Sequence, residues 1–470
     1  MTSEIATASA LDLAYAVRGR RVTARALAEL ALERIAATHG SLNAFTTVTA
    51  DRARAEAASV DDALAAGRDP GPLAGVPYAV KNLFDLAGVV TLAGSKINRT
   101  DPPAAEDATC VERLRRAGAV CVGALNMGEY AYDFVTDNAH DGPTHNPHDL
   151  ARSAGGSSGG CGAAVAAGLV PLSIGTDTNG SIRVPSSFCG IWGLKPTYGR
   201  LSRAGSFPFV DSLDHIGPFA RTVADLATAY DAMQGADPRD HACAQRAIEP
   251  ATPELDAGLG DLRVAMLGGY FEKGCPPQAH SAVAAVANAL GSAFGGRRVE
   301  LPQAAHARAA AFLITATEGG ALHLDRLKSR AAEFDPKIRD RFIAGALTPA
   351  AWYLHAQRFR AWYRAQVREI FRDVDVLLAP ATPVPATLLG QETMTLEGVE
   401  MPVRPNLGLF TQPISFIGLP VVAAPVHHAG PQPIGVQLIA APWREAALLR
   451  VARVLEQSGV CSAPVAQLAA

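Results

Sequence analysis

Short apolar runs broken by glycine and proline constrain the fold of this chain more than any other feature. Residues 76–80, 119–123, 169–174, 264–267, 374–378, 419–426 and 434–439 are too short for buried helices and suit strands covered on both faces. Stretches at 108–117, 221–233 and 445–456 have helical character and lie between or after them. This alternation predicts an α/β fold, a sheet covered by helices. Ahead of the first run, residues 1–65 are rich in Ala, Leu, Arg and Glu and predict a helical N-terminal segment. No repeat or low-complexity linker divides 66–470, which reads as a single compact unit. Residues 278–372 are mostly helical in character, and the aromatic and basic residues of 352–360 suit a helix turning its aromatics inward better than a nucleic-acid surface.

The 470 residues are 49% hydrophobic and 19% charged, enough to bury a large core. A formal charge of −3 supplies no field for gripping nucleic acid or an anionic membrane, so neither is expected as a direct partner and a small molecule is. No segment reaches the roughly 18 consecutive apolar residues of a membrane span, and the first residues lack a basic stretch followed by an apolar one. Seven widely spaced cysteines, with no C-x-x-C pair, read as reduced thiols. Together these features predict a cytoplasmic chain.

The densest glycine stretch, Gly155-Gly156-Ser157-Ser158-Gly159-Gly160-Cys161-Gly162, strips away side chains and lets backbone amides approach a ligand. It has neither the Gly-Lys-Ser/Thr ending of a P-loop nor the apolar strand that precedes a dinucleotide fingerprint. Gly155, Ser157 and Gly159 match G-x-S-x-G, yet residues 145–152 cannot form the buried strand that a nucleophile elbow needs. A second small-residue loop, 175–185, follows an apolar run and carries Ser181 beside Gly180. Two serine loops invite one shared site.

These loops carry a resemblance. The Gly-Gly-Ser-Ser-Gly-Gly of 155–160, the Asp-Thr-x-Gly-Ser-Ile-Arg-x-Pro of 177–185 and the upstream Gly75-Val76-Pro77-Tyr78-Ala79-Val80-Lys81-Asn82 resemble the amidase signature family. The likeness continues through Asn126, Met127, Glu129 and Tyr130, through Gly418-Leu419-Pro420, and through 433–439, covering nearly the whole chain. It implies a mixed β-sheet sandwiched between helices, with 66–470 as the catalytic domain, and amide hydrolysis with no cofactor and no metal. It also places Lys81, Ser157 and Ser181 at the positions of a Ser–Ser–Lys triad, with Ser181 the nucleophile. The backbone of Thr178, Asn179, Gly180 and Ser181 takes the oxyanion-hole position, and Tyr130 a substrate-binding one. Many members carry glycine where this chain has Asn179, a residue that tolerates positive φ and whose side chain would narrow the pocket or add a polar contact.

Such a triad has a physical requirement. A lysine takes a serine's proton only when neutral, against an ordinary pKa of about 10.4, so Lys81 must be desolvated. Its place after Tyr78-Ala79-Val80, at the end of an apolar run, fits that need. Ser157 then relays the proton between Lys81 and Ser181.

The substrate is read from charge. Arg341 aligns with a family arginine that anchors a substrate carboxylate, and Arg404 is a second candidate; a guanidinium fork suits that contact. The glutamine-hydrolysing branch, found in tRNA amidotransferases, has an acid where this chain has Gly408, so the ammonium of glutamine would lose its partner. The nearer likeness, in 317–324 and 403–408, is to the branch acting on small carboxylate-bearing, urea-like amides such as 1-carboxybiuret. That likeness implies a small helical partner subunit; a homodimer or a heteromer is expected. An inactive scaffold role conflicts with the intact Lys81, Ser157 and Ser181. Arg183 reads as structural. His140, Asp141, His145, His148 and Asp149 cluster but lack the i, i+4 framework of a helical metal site, and read as a structural loop.

Overall fold

The computed structural model describes residues 7–468. Eleven strands make one sheet: β1 (Phe45–Val48), β2 (Pro77–Lys81), β3 (Val120–Leu125), β4 (Leu172–Asp177), β5 (Trp192–Lys195), β6 (His215–Ala220), β7 (Val264–Leu267), β8 (Arg298–Val299), β9 (Val376–Pro380), β10 (Val421–Val426) and β11 (Ile434–Ala440). Across the sheet the order is β1-β3-β2-β4-β6-β5-β10-β11-β9-β7-β8. β2 runs parallel to β3 and β4, and β7 parallel to β8 and β9; the centre between these flanks is antiparallel. The sheet is therefore mixed, and its interior strands are buried along their whole length, which is why they read as continuous apolar runs.

All seven apolar runs singled out in the sequence become strands, shifted by a few residues. Four strands have no such signal. β1 lies inside 1–65, so that segment is not wholly helical: among its described residues the helices Ala10–Arg18, Ala24–Leu42 and Ala50–Ala65 surround a strand that pairs with β3 at the sheet edge. β5 ends on the buried Lys195, β6 contains Gly217 and Pro218, and β8 is a two-residue edge strand. A lysine, a glycine and a proline all argue locally against a central strand, and tertiary burial overrides them.

Five helices matter for the site: α1 (Gly159–Ala166), α2 (Arg183–Cys189), α3 (Ala304–Leu322), α4 (Pro336–Ala346) and α5 (Ala350–Ile370). Every residue of α1 and α2 is buried. α3 and α4 meet almost backbone to backbone, since a Cβ on Gly345 would stand 1.8 Å from Ala316 O. On α5 the inward face holds Ala356, Arg360, Tyr363 and Val367, but Trp352 and Trp362 are exposed, so its aromatics turn inward only in part. All seven cysteines are free thiols, and six of them are buried. No helix among the described residues is long and apolar enough to cross a membrane.

Candidate active site

Parallel pairing of β2 and β4 sets Val80 beside Ile174, so both strands release their chains at the same edge, where α/β sheets form crevices. Lys81, the last residue of β2, is fully buried there. Its Nζ donates to Ser157 Oγ at 2.7 Å and to Thr176 Oγ1 at 2.8 Å. Burial pulls the ammonium down to about 7, although Asp214 and Asp177 act against that shift. The desolvated lysine required by the sequence is thus present, in contact with one of the two serines.

The glycine loop exists to bring Ser157 this close. Cβ atoms on Gly156, Gly159 and Gly160 would stand 2.5 Å from Val135 C, 2.4 Å from Thr136 Oγ1 and 2.6 Å from Ala44 O, so no larger residue fits. The Gly156–Ser157 peptide is cis. Ser157 O accepts from Gly128 N at 3.1 Å, and Ser158 Oγ donates to Thr176 O at 3.2 Å, tying the loop to β4. Residues 149–153 before it form a two-stranded ribbon with 145–146 that is only partly buried, not an elbow strand.

The second loop leaves β4 at Asp177 and turns into α2. The amides of Thr178, Asn179, Gly180 and Ser181 have no acceptor among the described residues. Their surroundings hold them in place: Thr178 Oγ1 donates to Asp214 at 2.6 Å, and Thr411 Oγ1 donates to Asn179 O at 2.6 Å. The left-handed residue is Gly180, at φ 147, and not Asn179, so the asparagine needs no tolerance of positive φ. A Cβ on Gly180 would lie 2.4 Å from Thr411 Oγ1.

Arg183 anchors this loop from below and is structural, as read. Its guanidinium donates to both carboxylate oxygens of Asp177, to Thr411 O at 3.1 Å, to Gln437 Oε1 at 2.7 Å and to Ser415 Oγ. Burial opposes ionisation of Asp177, but the adjoining Arg183 outweighs it and holds the carboxyl well below its usual range.

Thr178, Asn179 and Ser181 open into a small, narrow pocket, roughly 20 Å³ in volume. Tyr132, Phe134, Phe209 and Phe312 supply apolar wall, and Thr315, Arg341 and Gln412 supply polar groups. Arg341, on α4, donates to Tyr132 O at 3.3 Å and lies over the Tyr132 ring at 5.6 Å. No carboxylate among the described residues pairs with it. It also borders a larger outer cleft lined by Lys337, Glu392 and Arg404. Arg404 differs: it is bound to Asp133 and, at 2.8 Å, to Asp137. Burial pushes the Asp133 carboxyl up, against the pull of Arg404 and Arg341.

Tyr130 does not line the pocket. It is buried behind the wall, its hydroxyl 3.0 Å from Asn98 Oδ1 and its ring against His323 and Phe334. Gly408 sits under Phe134, where a Cβ would come within 2.3 Å of the ring. The residues of the His140–Asp149 loop have other partners: His140 meets Glu129, His145 the Leu150 carbonyl, His148 the Cys189 carbonyl, Asp141 Arg99, and Asp149 Arg152.

Sequence reasoning missed Thr176, Asp214, Thr315 and Thr411, which hold the lysine and the loop of residues 178–181. Only Thr176 carried a signal, its place in the same loop as Ser181.

Residues 26–449 match the Amidase family. The chain is 56% identical to a 1-carboxybiuret hydrolase subunit from Pseudomonas sp. (strain ADP), over 96% of this chain and 98% of that one. It is 38% identical to a glutamyl-tRNA(Gln) amidotransferase chain from Chromohalobacter salexigens, over 95% of this chain and 96% of that one. A solved structure described as a vestigial protein complex that reveals the origins of an s-triazine catabolic enzyme superposes with a TM-score of 0.95 at 55% identity, covering 97% of this chain and all of that one. With its mixed sheet between helices, the chain belongs to the amidase signature family and is an amidase acting on C–N bonds.

Proposed function

We propose that the chain releases ammonia from a small, carboxylate-bearing, urea-like amide such as 1-carboxybiuret, through Lys81, Ser157 and Ser181. The observation that carries this reading is Arg341, a guanidinium that forms no ion pair among the described residues and lines the pocket that also holds Ser181. The likeness to a 1-carboxybiuret hydrolase subunit supports it. So does Gly408, because the ring of Phe134 fills the space an ammonium-binding acid would need.

In the reaction, neutral Lys81 withdraws a proton from Ser157, and Ser157 withdraws one from Ser181 as its Oγ attacks the carbonyl carbon. Charge collects on the carbonyl oxygen, which the unengaged amides of Thr178–Ser181 receive; such donors are worth about 3–4 kcal/mol each. The proton returns through Ser157 to the departing nitrogen, the C–N bond breaks, and ammonia leaves neutral. Water then attacks the acyl ester on Ser181 through the same relay. Arg341 holds the substrate carboxylate throughout, while Arg404, committed to Asp133 and Asp137, shapes the wall. Description of the structural neighbour as a protein complex supports a heteromeric partner.

Two measurements test this. A fluorophosphonate should label the Ser181 peptide; label on Ser157 reverses their roles. Arg341→Ala should cut kcat/KM for an anionic amide by about 100-fold with little change for a neutral one. Equal losses would assign Arg341 to structure.

A further inference from the structure

Asn179 stands in the pocket beside Ser181. Its Nδ2 donates to Thr315 Oγ1 at 2.8 Å, and that hydroxyl donates to Ala311 O at 2.8 Å within α3. The two bonds fix the amide's orientation. Thr315 has committed its only proton to the helix, so its oxygen can only accept, and the NH2 of Asn179 must face it. Asn179 Oδ1 is consequently turned away, buried and without a partner among the described residues. Buried acceptors are ordinarily paired, and one left over at a binding site points to a donor that arrives with the ligand. The backbone is equally fixed, since Asn179 O accepts from Thr411. Strain does not explain the asparagine, because Gly180 carries the left-handed turn.

We propose that Asn179 Oδ1 is a specificity determinant, accepting the N–H that flanks the scissile carbonyl of a urea-like substrate, with Thr315 as the positioning residue that keeps Oδ1 turned toward it. The assignment rests on the reading of the pocket as a site for small anionic amides. A carbon amide places a methylene where a urea places N–H, and the methylene leaves the acceptor unpaired. Sites built to bond a polar group discriminate strongly against the analogue lacking it. The amidase mechanism alone demands no such preference, because every primary amide carries the same leaving NH2.

N-carbamoylglycinate and succinamate form the probe pair: they share length and charge and differ by N–H against CH2 next to the carbonyl. Their affinities for the Ser181→Ala chain are measured by calorimetry, so that turnover and intrinsic reactivity do not enter. N-carbamoylglycinate should bind about 10-fold tighter or better, as one hydrogen bond to a buried acceptor predicts. In Ser181→Ala/Asn179→Gly and Ser181→Ala/Thr315→Val the ratio should fall toward one, while Thr315→Ser, which keeps the hydroxyl, should retain it. A ratio near one in the Ser181→Ala parent, or a preference that survives Asn179→Gly, overturns the assignment and leaves the anionic-amide reading intact. Failure of both ligands to bind the parent overturns that reading, and this inference with it.

Discussion

In the proposed mechanism, Lys81 is the residue on which the pH response of the chain turns. Buried at the end of β2, with an ammonium pKa pulled down to about 7, it acts as a base only after losing its proton. Deprotonation proceeds as pH rises, so kcat/KM should climb through about pH 7 and level above it. A pH profile of ammonia release checks this, and a rate flat from about pH 6 to 9 would place the base elsewhere. Lys81 was legible in the sequence because its motif is contiguous. Thr176, its second acceptor, depends on the pairing of β2 with β4 across 95 residues, which no local pattern announces. The commitment of Arg404 was hidden for the same reason: Asp133 and Asp137, which engage it, are remote in sequence and reach it only through the fold.

At the scale of elements, the loop from β4 to α2 concentrates the constraint. Gly180→Ala places a methyl against Thr411 Oγ1 and forces a side chain onto a φ of 147. The amide row of 178–181 must then shift, and kcat should fall by about 100-fold or more, as for loss of an oxyanion donor, while the circular dichroism spectrum stays folded. Near wild-type turnover in that variant would remove this loop from the mechanism. Most strands of the sheet were legible from apolar runs, because strands buried on both faces leave no polar alternation to obscure them. β5 and β6 were not, since Lys195, Gly217 and Pro218 follow the demands of packing and close approach rather than strand propensity.

Over the whole molecule, the N-terminal segment proves continuous with the sheet through β1, a placement that short helical periodicity in 1–65 could not convey. The His140–Asp149 loop is likewise explained by distant partners, Cys189 and Arg99 among them. Its side chains are occupied in holding the fold, so exhaustive dialysis against a chelator should leave ammonia release unchanged; activity lost to the chelator and restored by zinc would contradict that. Arg183 joins distant parts of the chain, since its guanidinium rests on Asp177, Thr411, Ser415 and, on the last strand of the sheet, Gln437. During synthesis on the ribosome, Lys81, Ser157 and Ser181 all emerge long before Gln437. Until β11 arrives, the guanidinium beneath the loop of residues 178–181 lacks one of the acceptors that surround it once buried. The loop that carries Ser181 is therefore braced in full only once the final strand closes the sheet.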